Sequence, residues 1–156
     1  MCQRLKLFII GISGLLGLNL AHQARLRYEV GGTYNDHRVS AGDIQSQKVD
    51  VMATGQLELA LMEFQPDIIV NTVALTDVDA CESHTELAHS LNVQSARDAA
   101  AHARTLDAKL VHISSDMVLD GHHPPYTDDA PPSPLSSYGR AKAEAERLVA
   151  KLAPSA

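Results

Sequence analysis

The sequence predicts an α/β fold in which a doubly wound parallel sheet is covered by helices on both faces. Short apolar runs alternate with segments of helical periodicity, and a glycine-rich turn follows the first run. A length of 156 residues is enough for one domain with a sizeable core. Continuous apolar strands separated by helices are typical of parallel sheets that are buried on both faces. Right-handed crossovers then give the strand order 3-2-1-4-5.

The first strand and the turn after it organise the chain. Residues 5–17 read LKLFIIGISGLLG, an apolar strand followed by glycines spaced G-x-x-G-x-x-G, and a helix is predicted over residues 14–25. Gly11 permits a sharp turn, Gly14 lets backbone N–H groups approach a pyrophosphate, and Gly17 lets the helix pack close to the strand. The pattern predicts a Rossmann-type dinucleotide-binding unit, although a glycine turn that binds nothing has the same spacing.

The remaining elements continue the alternation. Strands are predicted over residues 28–34, 49–52, 67–73 and 109–115, and helices over residues 56–64, 85–104 and 136–152. Polar loops are predicted over residues 35–42 and 120–134. We expect residues 1–156 to form a single NAD(P)-binding domain.

Composition excludes several classes of function. A net charge of -6 without a basic run argues against nucleic acid as a partner, and 4% aromatic residues argue against a base-stacking surface. Cys2 and Cys81 lack metal-ligand spacing and are interpreted as free thiols of a reducing, cytoplasmic compartment. No run is long enough to span a membrane, the opening residues do not form a signal peptide, and no membrane partner is expected. The adjacent His122 and His123 do not by themselves predict a metal site.

The end of the second strand bears on the choice of cofactor. Enzymes that prefer NAD place an acidic residue there for the ribose 2′-hydroxyl. Here no acid occurs before Asp36, and Arg38 lies close by, which suits a 2′-phosphate and favours NADP, with NAD possible. Arg38 could equally be a solvated loop charge. Asp50 could accept a hydrogen bond from the adenine amino group or be an ordinary turn aspartate.

Candidate catalytic residues lie in the second half. Tyr138 and Lys142 form Y-x-x-x-K on a predicted helix, which Ser136 or Ser137 can cap, and they share one face of it. A tyrosine acts as an acid–base catalyst at neutral pH only when a nearby cation favours its ionised form, and Lys142 can supply that cation. Ser115, at the end of the fifth strand, could bind a substrate carbonyl. Alone, Y-x-x-x-K is common and fits a surface tyrosine beside a solvated lysine.

On the basis of these residues, the sequence resembles the extended short-chain dehydrogenase/reductases and, among them, the dTDP-4-dehydrorhamnose reductase family. The matching stretches, beyond the three glycines, are PDIIVNTVALTDVDACE at 66–82, SLNV at 90–93, HISSDMVLDG at 112–121, PYTDD at 125–129 and YGRAK at 138–142. They cover nearly the whole chain. The resemblance implies that Ser115, Tyr138 and Lys142 are the catalytic serine, tyrosine and lysine.

The motifs and the resemblance together give an expected cofactor site. Its members are Gly11, Ser13, Gly14, Leu15, Leu16, Gly17, Arg38, Asp50, Val51, Val73, Ala74, Leu75, Asn92, Tyr138 and Lys142. The resemblance places Asp50 and Val51 at the adenine and residues 73–75 beside the nicotinamide. It implies that Asn92 helps to position the lysine, while a buried amide satisfied by backbone is the alternative. Thr76, Asp116 and Met117 are expected on the substrate side.

The sequence departs from the family in two ways. Met117 and Leu119 stand where the family usually has Tyr and Phe, beside the substrate. The sequence also ends just after the helix that carries Lys142, whereas family members continue with a sixth strand and most of the nucleotide-sugar site. We therefore expect the fifth strand to be a sheet edge that is covered by a second copy in a homodimer, by a partner chain or by the loop over residues 120–134.

The function that the resemblance implies is NAD(P)H-dependent reduction of a 4-keto nucleotide sugar in nucleotide-sugar (dTDP-rhamnose) biosynthesis. Two alternatives share the motifs. One is a non-catalytic NADP-binding subunit similar to the regulatory beta subunit of methionine adenosyltransferase. The other is a nucleotide-sugar epimerase or dehydratase of the same superfamily.

Overall fold

The computed structural model describes residues 4–39 and 42–154. Across them run the strands β1 (Lys6–Ile10), β2 (Glu29–Tyr34), β3 (Gln45–Lys48), β4 (Ile68–Asn71) and β5 (Lys109–His112). The helices are α1 (Leu15–Ala24), α2 (Gln56–Phe64), α3 (Val78–Ser83), α4 (Thr85–His89), α5 (Ser95–Thr105) and α6 (Ser137–Leu152), with a π turn (Ser90–Gln94) and a 3-10 turn (Asp116–Val118). Cys2 and residues 40 and 41 of the predicted polar loop lie outside the described residues. None of the described helices combines the length and apolar character that crossing a bilayer requires.

The sheet confirms the predicted fold class. Every strand pair is parallel, and the order is β3-β2-β1-β4-β5. Side chains of β1 alternate between two buried layers, as a strand covered on both faces requires. Phe8 and Ile10 pack with α2, α5 and α6, while Leu7 and Ile9 pack with α1. The carboxyl ends of the strands therefore open between helices at one edge of the molecule.

The prediction of the third strand is wrong, because the strand lies about one strand length earlier in the sequence. Residues 49–52 form an irregular segment and a turn, and the strand is instead the polar QSQK of β3, paired from Gly31↔Gln45 to Tyr34↔Lys48. An edge strand hydrogen-bonds to one neighbour and has no need of an apolar run. Val49 is buried, but it packs against Leu57 and Leu61 as part of the turn after β3.

The long helix predicted over residues 85–104 is present but interrupted. Its path passes through α4, the π turn and α5, so one turn is wider than an α-helix. α3, which the sequence does not predict, precedes it. Asp77 caps α3, because its Oδ1 accepts a hydrogen bond from the Ala80 N–H at 2.9 Å.

β5 lies at one edge of the sheet and is shorter than predicted, because its ladder ends at His112 and not at Ser115. The following loop does not add a strand to this edge. A backbone hydrogen bond from the Ser133 N–H to the Val118 carbonyl, at 2.9 Å, instead joins the loop to the 3-10 turn. Val111 on β5 remains 40% exposed.

Candidate active site

A cavity of about 470 Å³ lies at the carboxyl ends of β1, β2 and β4, where doubly wound sheets bind ligands. Tyr34 and Asn35, at the end of β2, form part of its wall. Seven residues expected to contact the cofactor also line it: Gly11, Ser13, Gly14, Asp50, Val51, Val73 and Ala74. The turn after β1 and the loop after β4 thus meet around one space.

The first and third glycines of the turn set its shape. Gly11 has φ of +88°, and its N–H donates to Thr33 Oγ1 at 3.1 Å. A Cβ on Gly17 would lie 2.4 Å from the Gly11 carbonyl oxygen, a backbone atom that cannot move aside easily. Gly17 therefore lets α1 pack directly on the turn, as its place in the motif predicts.

Gly14 differs from Gly11 and Gly17 because it borders open space. A Cβ there would meet only the Gly11 carbonyl oxygen, at 3.4 Å. Gly14 is also the N-cap of α1, and it offers no side chain to cap the helix. The first N–H groups of α1 thus have no side-chain cap and are available for an anionic ligand. Leu15 and Leu16, in the same first turn, are 87% and 48% exposed and do not line the cavity.

The two charged residues expected at the nucleotide end lie in different places. Asp50 lines the cavity, while its Oδ1 accepts a hydrogen bond from the Met52 N–H at 2.9 Å, so it is also a turn aspartate. Arg38 is exposed and borders a separate cavity of about 410 Å³ together with Gln45 and Glu63. The structure therefore does not bring Arg38 to the cofactor cavity.

Asn92 has the backbone role that the sequence left open. It is fully buried in the π turn, where its Oδ1 accepts from the Leu75 N–H at 2.7 Å and its Nδ2 donates to the Leu75 carbonyl at 3.1 Å. Both ends of the amide hold the loop after β4, which carries Val73 and Ala74 to the cavity wall. Ala88, one turn before Asn92, and Ala96, one turn after it, are buried as well.

Ser115 lies just beyond β5 and caps the 3-10 turn. Its Oγ accepts a hydrogen bond from the Met117 N–H at 3.2 Å and donates to Asp116 Oδ1 at 3.2 Å. Both bonds are long, so the hydroxyl can exchange its present acceptor for another. Burial leaves Ser114 Oγ, one residue earlier, without a hydrogen-bond partner among the described residues.

Tyr138 and Lys142 lie one turn apart on α6, and both are buried. Tyr138 is 8% exposed and packs with Cys81 and Ala88. Lys142 is 2% exposed, and its Nζ donates to the Ile113 carbonyl at 2.5 Å, two residues before Ser115. Burial holds the pKa of Lys142 below its usual value, and the nearby Glu146 carboxylate partly opposes this effect.

The first turn of α6 is held from two sides. Ser136 caps it by accepting from the Gly139 N–H at 3.0 Å, while Glu82 of α3 accepts from Ser137. A Cβ on Gly139 would lie 2.2 Å from the Met117 carbonyl oxygen, so only glycine lets α6 approach the 3-10 turn this closely. These contacts thus fix the position of the helix start that carries Tyr138.

A second cavity, of about 380 Å³, lies over the 3-10 turn. Two of the expected substrate-side residues, Asp116 and Met117, line it together with Leu119, Asp120, Gly121, Tyr126, Leu135 and Ser136, whereas Thr76 does not. Asp120 accepts hydrogen bonds from the Tyr126 hydroxyl and the His122 N–H, which hold the pKa of its carboxyl well below the usual range. These bonds fold residues 120–126 back on themselves.

The structure brings many of the expected residues together in two groups. The glycine turn, Asp50 and the loop after β4 surround the first cavity. Ser115, Tyr138 and Lys142 do not line that cavity; Lys142 instead hydrogen-bonds at the end of β5, to the Ile113 carbonyl, two residues before Ser115. Among the described residues, no group of three His, Cys, Asp or Glu side chains is suited to a metal ion. Sequence reasoning missed Asn71, His112 and Glu82. The detectable signal was a polar side chain within an apolar strand for Asn71 and His112, whereas the exposed Glu82 gave none.

Comparison with known proteins identifies the family. The profile described as RmlD substrate binding domain matches residues 5–156. The beta subunit of methionine adenosyltransferase 2 from Bos taurus is 33% identical over 148 residues, which are 92% of this chain and 42% of that protein.

Two solved structures are also similar. A hypothetical dTDP-4-dehydrorhamnose reductase from Sulfolobus tokodaii has a TM-score of 0.86 and 33% identity over 92% of this chain and 51% of its own. A dTDP-4-dehydrorhamnose reductase from Bacillus anthracis in complex with NADP has a TM-score of 0.85 and 28% identity over 99% of this chain and 52% of its own. The chain thus spans about half the length of the relatives that it matches. It belongs to the RmlD substrate binding domain family and corresponds to the N-terminal half of the dTDP-4-dehydrorhamnose reductases.

Proposed function

We propose that this chain provides the cofactor-binding half of an NAD(P)H-dependent reductase that acts on a 4-keto nucleotide sugar, as dTDP-4-dehydrorhamnose reductases do. The observation that carries the proposal is the burial of Lys142 between Tyr138 and the end of β5. A lysine that is 2% exposed is costly, and the described ion pairs give it no carboxylate partner. A buried lysine beside a serine and a tyrosine favours a catalytic role.

The first cavity fits a nicotinamide dinucleotide. The open N-terminus of α1 and the absence of a Cβ at Gly14 suit a pyrophosphate. Asp50 at one end can accept a hydrogen bond from an adenine amino group. Val73 and Ala74 at the other end offer an apolar wall for a nicotinamide ring. The similar reductase structure from Bacillus anthracis is a complex with NADP, which supports NADP as the cofactor here, with NAD possible.

In this site each candidate catalytic side chain has its own role. A reduced nicotinamide, when bound, supplies a hydride to the substrate carbonyl carbon. Ser115 would donate its hydroxyl proton in a hydrogen bond to the carbonyl oxygen and so orient it. Tyr138 would give that oxygen a proton. The Lys142 ammonium would stabilise the resulting tyrosinate and hold ribose hydroxyls.

The proposal is tested by measuring the rate of NADPH oxidation in the presence of a 4-keto nucleotide sugar. The assay uses the protein that is expressed from the whole gene. A reductase consumes one NADPH for each hydroxyl that it forms, whereas an epimerase or dehydratase of the superfamily consumes none. Tight NADPH binding without consumption, in the presence of this substrate, would contradict the proposed activity while leaving the cofactor site intact.

A second candidate function is that of a regulatory subunit. Methionine adenosyltransferase 2 subunit beta is 33% identical to this chain over nearly the same span, so a binding protein built on the same fold is a specific alternative. Co-purification of the chain with a methionine adenosyltransferase catalytic subunit, together with no NADPH consumption, would favour this candidate.

A further inference from the structure

A chain of three polar side chains lies beneath the candidate active site: Asn71 and Lys142 are buried, and His112 between them is half-buried. Asn71, the last residue of β4, is 1% exposed and lies opposite His112 in the sheet register. Asn71 Nδ2 is 3.4 Å from His112 Nδ1, and His112 Nε2 is 3.5 Å from Lys142 Nζ. Among the described hydrogen bonds, only the Ile113 carbonyl otherwise contacts Lys142 Nζ.

Backbone contacts determine which way the Asn71 amide faces. Its Oδ1 accepts a hydrogen bond from the Val73 N–H at 3.1 Å, so its Nδ2 is the atom that faces His112. An amide NH₂ can only donate, and His112 Nδ1 must therefore accept. The hydrogen of a neutral ring then lies on Nε2, the nitrogen that faces Lys142.

The ring is neutral near pH 7. Burial and the neighbouring Lys142 charge lower the pKa of His112 to about 4. No second proton on Nδ1 therefore competes with the Asn71 amide at neutral pH.

We propose that Asn71 and His112 are positioning residues that present a histidine N–H, and not a lone pair, to the Lys142 amine. An ammonium and a ring N–H are both donors, so this contact lowers the affinity of Lys142 for its proton, while one hydrogen of Nζ goes to the Ile113 carbonyl. The Lys142 ammonium therefore gives no hydrogen to the histidine ring and keeps its other hydrogens for a tyrosinate or for ribose hydroxyls. That use rests on the proposed function, whereas the arrangement itself does not.

Other charged groups near Lys142 do not duplicate this effect. On its own helix, Glu146 favours the ammonium, and Glu144 pairs with His89 of α4, which packs on this helix. The π turn, which packs on α6, contains no titratable residue. On α5, Arg97 and Asp98 pair with each other and border a different cavity. His112 is thus the histidine in contact with Lys142 among the described residues.

Nitrogen NMR of the histidine rings tests the tautomer directly, in the protein without substrate or cofactor. The His112 signal is assigned by its loss in His112→Gln. We expect an unprotonated Nδ1 and a protonated Nε2 between pH 6 and pH 8. A ring protonated on Nδ1 in this range would overturn the proposal. This result is independent of turnover, so it is distinguishable from a failure of the proposed function.

A second experiment reverses the direction of the hydrogen bonds that join residue 71, His112 and Lys142. An aspartate in Asn71→Asp still accepts from the Val73 N–H but requires a proton on His112 Nδ1, so Nε2 becomes an acceptor for the ammonium. We expect the side-chain titration of Lys142, followed by carbon NMR, to move upward by about half a pH unit or more. In the His112→Gln background the same change should move the titration by less than half as much.

An equal shift of the Lys142 titration with and without the His112 ring would show that the new charge acts directly on Lys142. That result would overturn the role of His112, and so would the absence of any shift. His102→Gln, which changes a half-buried histidine of α5 outside this group, is the matched control and should leave both signals unchanged. If Asn71→Asp does not fold, the tautomer of the unmodified protein still decides the proposal.

Discussion

Glu82 accepts two hydrogen bonds from Ser137, one from the backbone N–H at 2.6 Å and one from the hydroxyl at 2.7 Å. The carboxylate thereby joins α3 to the N-terminal turn of α6, where a negative charge is favourable. Arg140 lies 4.0 Å from the same carboxylate. Because Tyr138 follows Ser137 directly, this contact also locates the candidate catalytic tyrosine.

The contact predicts a pH-dependent stability. The Ser137 hydrogen bonds lower the pKa of Glu82 below its ordinary value of 4.5, so its contribution to stability is present above that pH and is lost as the pH falls through the folded-state value. Glu82→Gln carries no charge at any pH. We therefore expect the difference in Tm between the two proteins to be largest at pH 7 and to close on acidification. A difference that stays constant from pH 7 to pH 3 would show that the charge is unimportant.

Two glycines of the same turn should respond in opposite ways to alanine. Gly17→Ala places a methyl group 2.4 Å from a backbone oxygen and should lower the free energy of unfolding by about 1–3 kcal/mol. Gly14→Ala meets only a 3.4 Å contact and should fold normally, yet it should weaken NADP(H) binding by about tenfold because the methyl group enters the pyrophosphate position. Denaturant unfolding and calorimetric titration of both variants check the pair. Normal NADP(H) affinity in Gly14→Ala would remove this glycine from the cofactor site.

Tyr138 and Lys142 should separate chemistry from binding. In the protein as encoded, Tyr138→Phe should lower kcat by about 10²-fold or more with little change in NADPH affinity, since only the proton donor is lost. Lys142→Ala should lower both quantities. Tyr28→Phe, at a tyrosine packed under α1, is the control and should keep full activity. Full activity in Tyr138→Phe would show that the proton comes from another group.

The end of β2 should decide between NADP and NAD. We expect tighter binding of NADPH than of NADH, because Asn35 and not an acid lines the cavity there. Asn35→Asp should reduce the preference by about tenfold through repulsion of a 2′-phosphate. Arg38→Ala should have the smaller effect, since Arg38 borders another cavity. Calorimetric titration with both nucleotides measures these ratios. Equal affinities in the unmodified protein would contradict the expectation.

The edge of the sheet at β5 should promote association. β5 pairs with β4 on one side, and Val111 is 40% exposed, so the chain is expected to self-associate or to bind a partner there. Val111→Lys should shift the mass measured by light scattering toward the monomer. Leu59→Lys, the same kind of change at an exposed position of α2, should not. A monomer at all concentrations before any substitution would refute the expectation.

The elements that bury apolar surface could be predicted closely from the sequence. Residues 56–64 were expected as a helix and form α2 without a shift, because its apolar residues recur at helical spacing before Pro66. β1 and β4 have the continuous apolar runs of central strands. β3 lacks such a run, since an edge strand is held by backbone bonds to β2, and the apolar Val49 beyond it misplaced the prediction.

The candidate site residues that belong to a local sequence pattern were more predictable than the residues that support them. The glycine spacing and the Y-x-x-x-K pattern are local, so Gly14, Tyr138 and Lys142 could be found in a single sequence. Glu82 and Ser137 are far apart in the chain and meet only in the folded structure. The π turn has no sequence pattern of its own, because the widening of one helical turn depends on what packs against it.

Because of the π turn, the position of Asn92 depends on the number of residues in the helical segment around it. Each residue of an α-helix advances the direction of its side chain by about 100°, and a π turn accommodates one residue more than an α turn. Deleting a single residue between Thr85 and Thr105 would restore a regular helix and rotate one half of the segment against the other. Either Asn92 would then leave Leu75, or Ala96, Ala99 and Ala103 would leave the sheet. The segment from α4 to α5 therefore tolerates substitution more readily than a change in length.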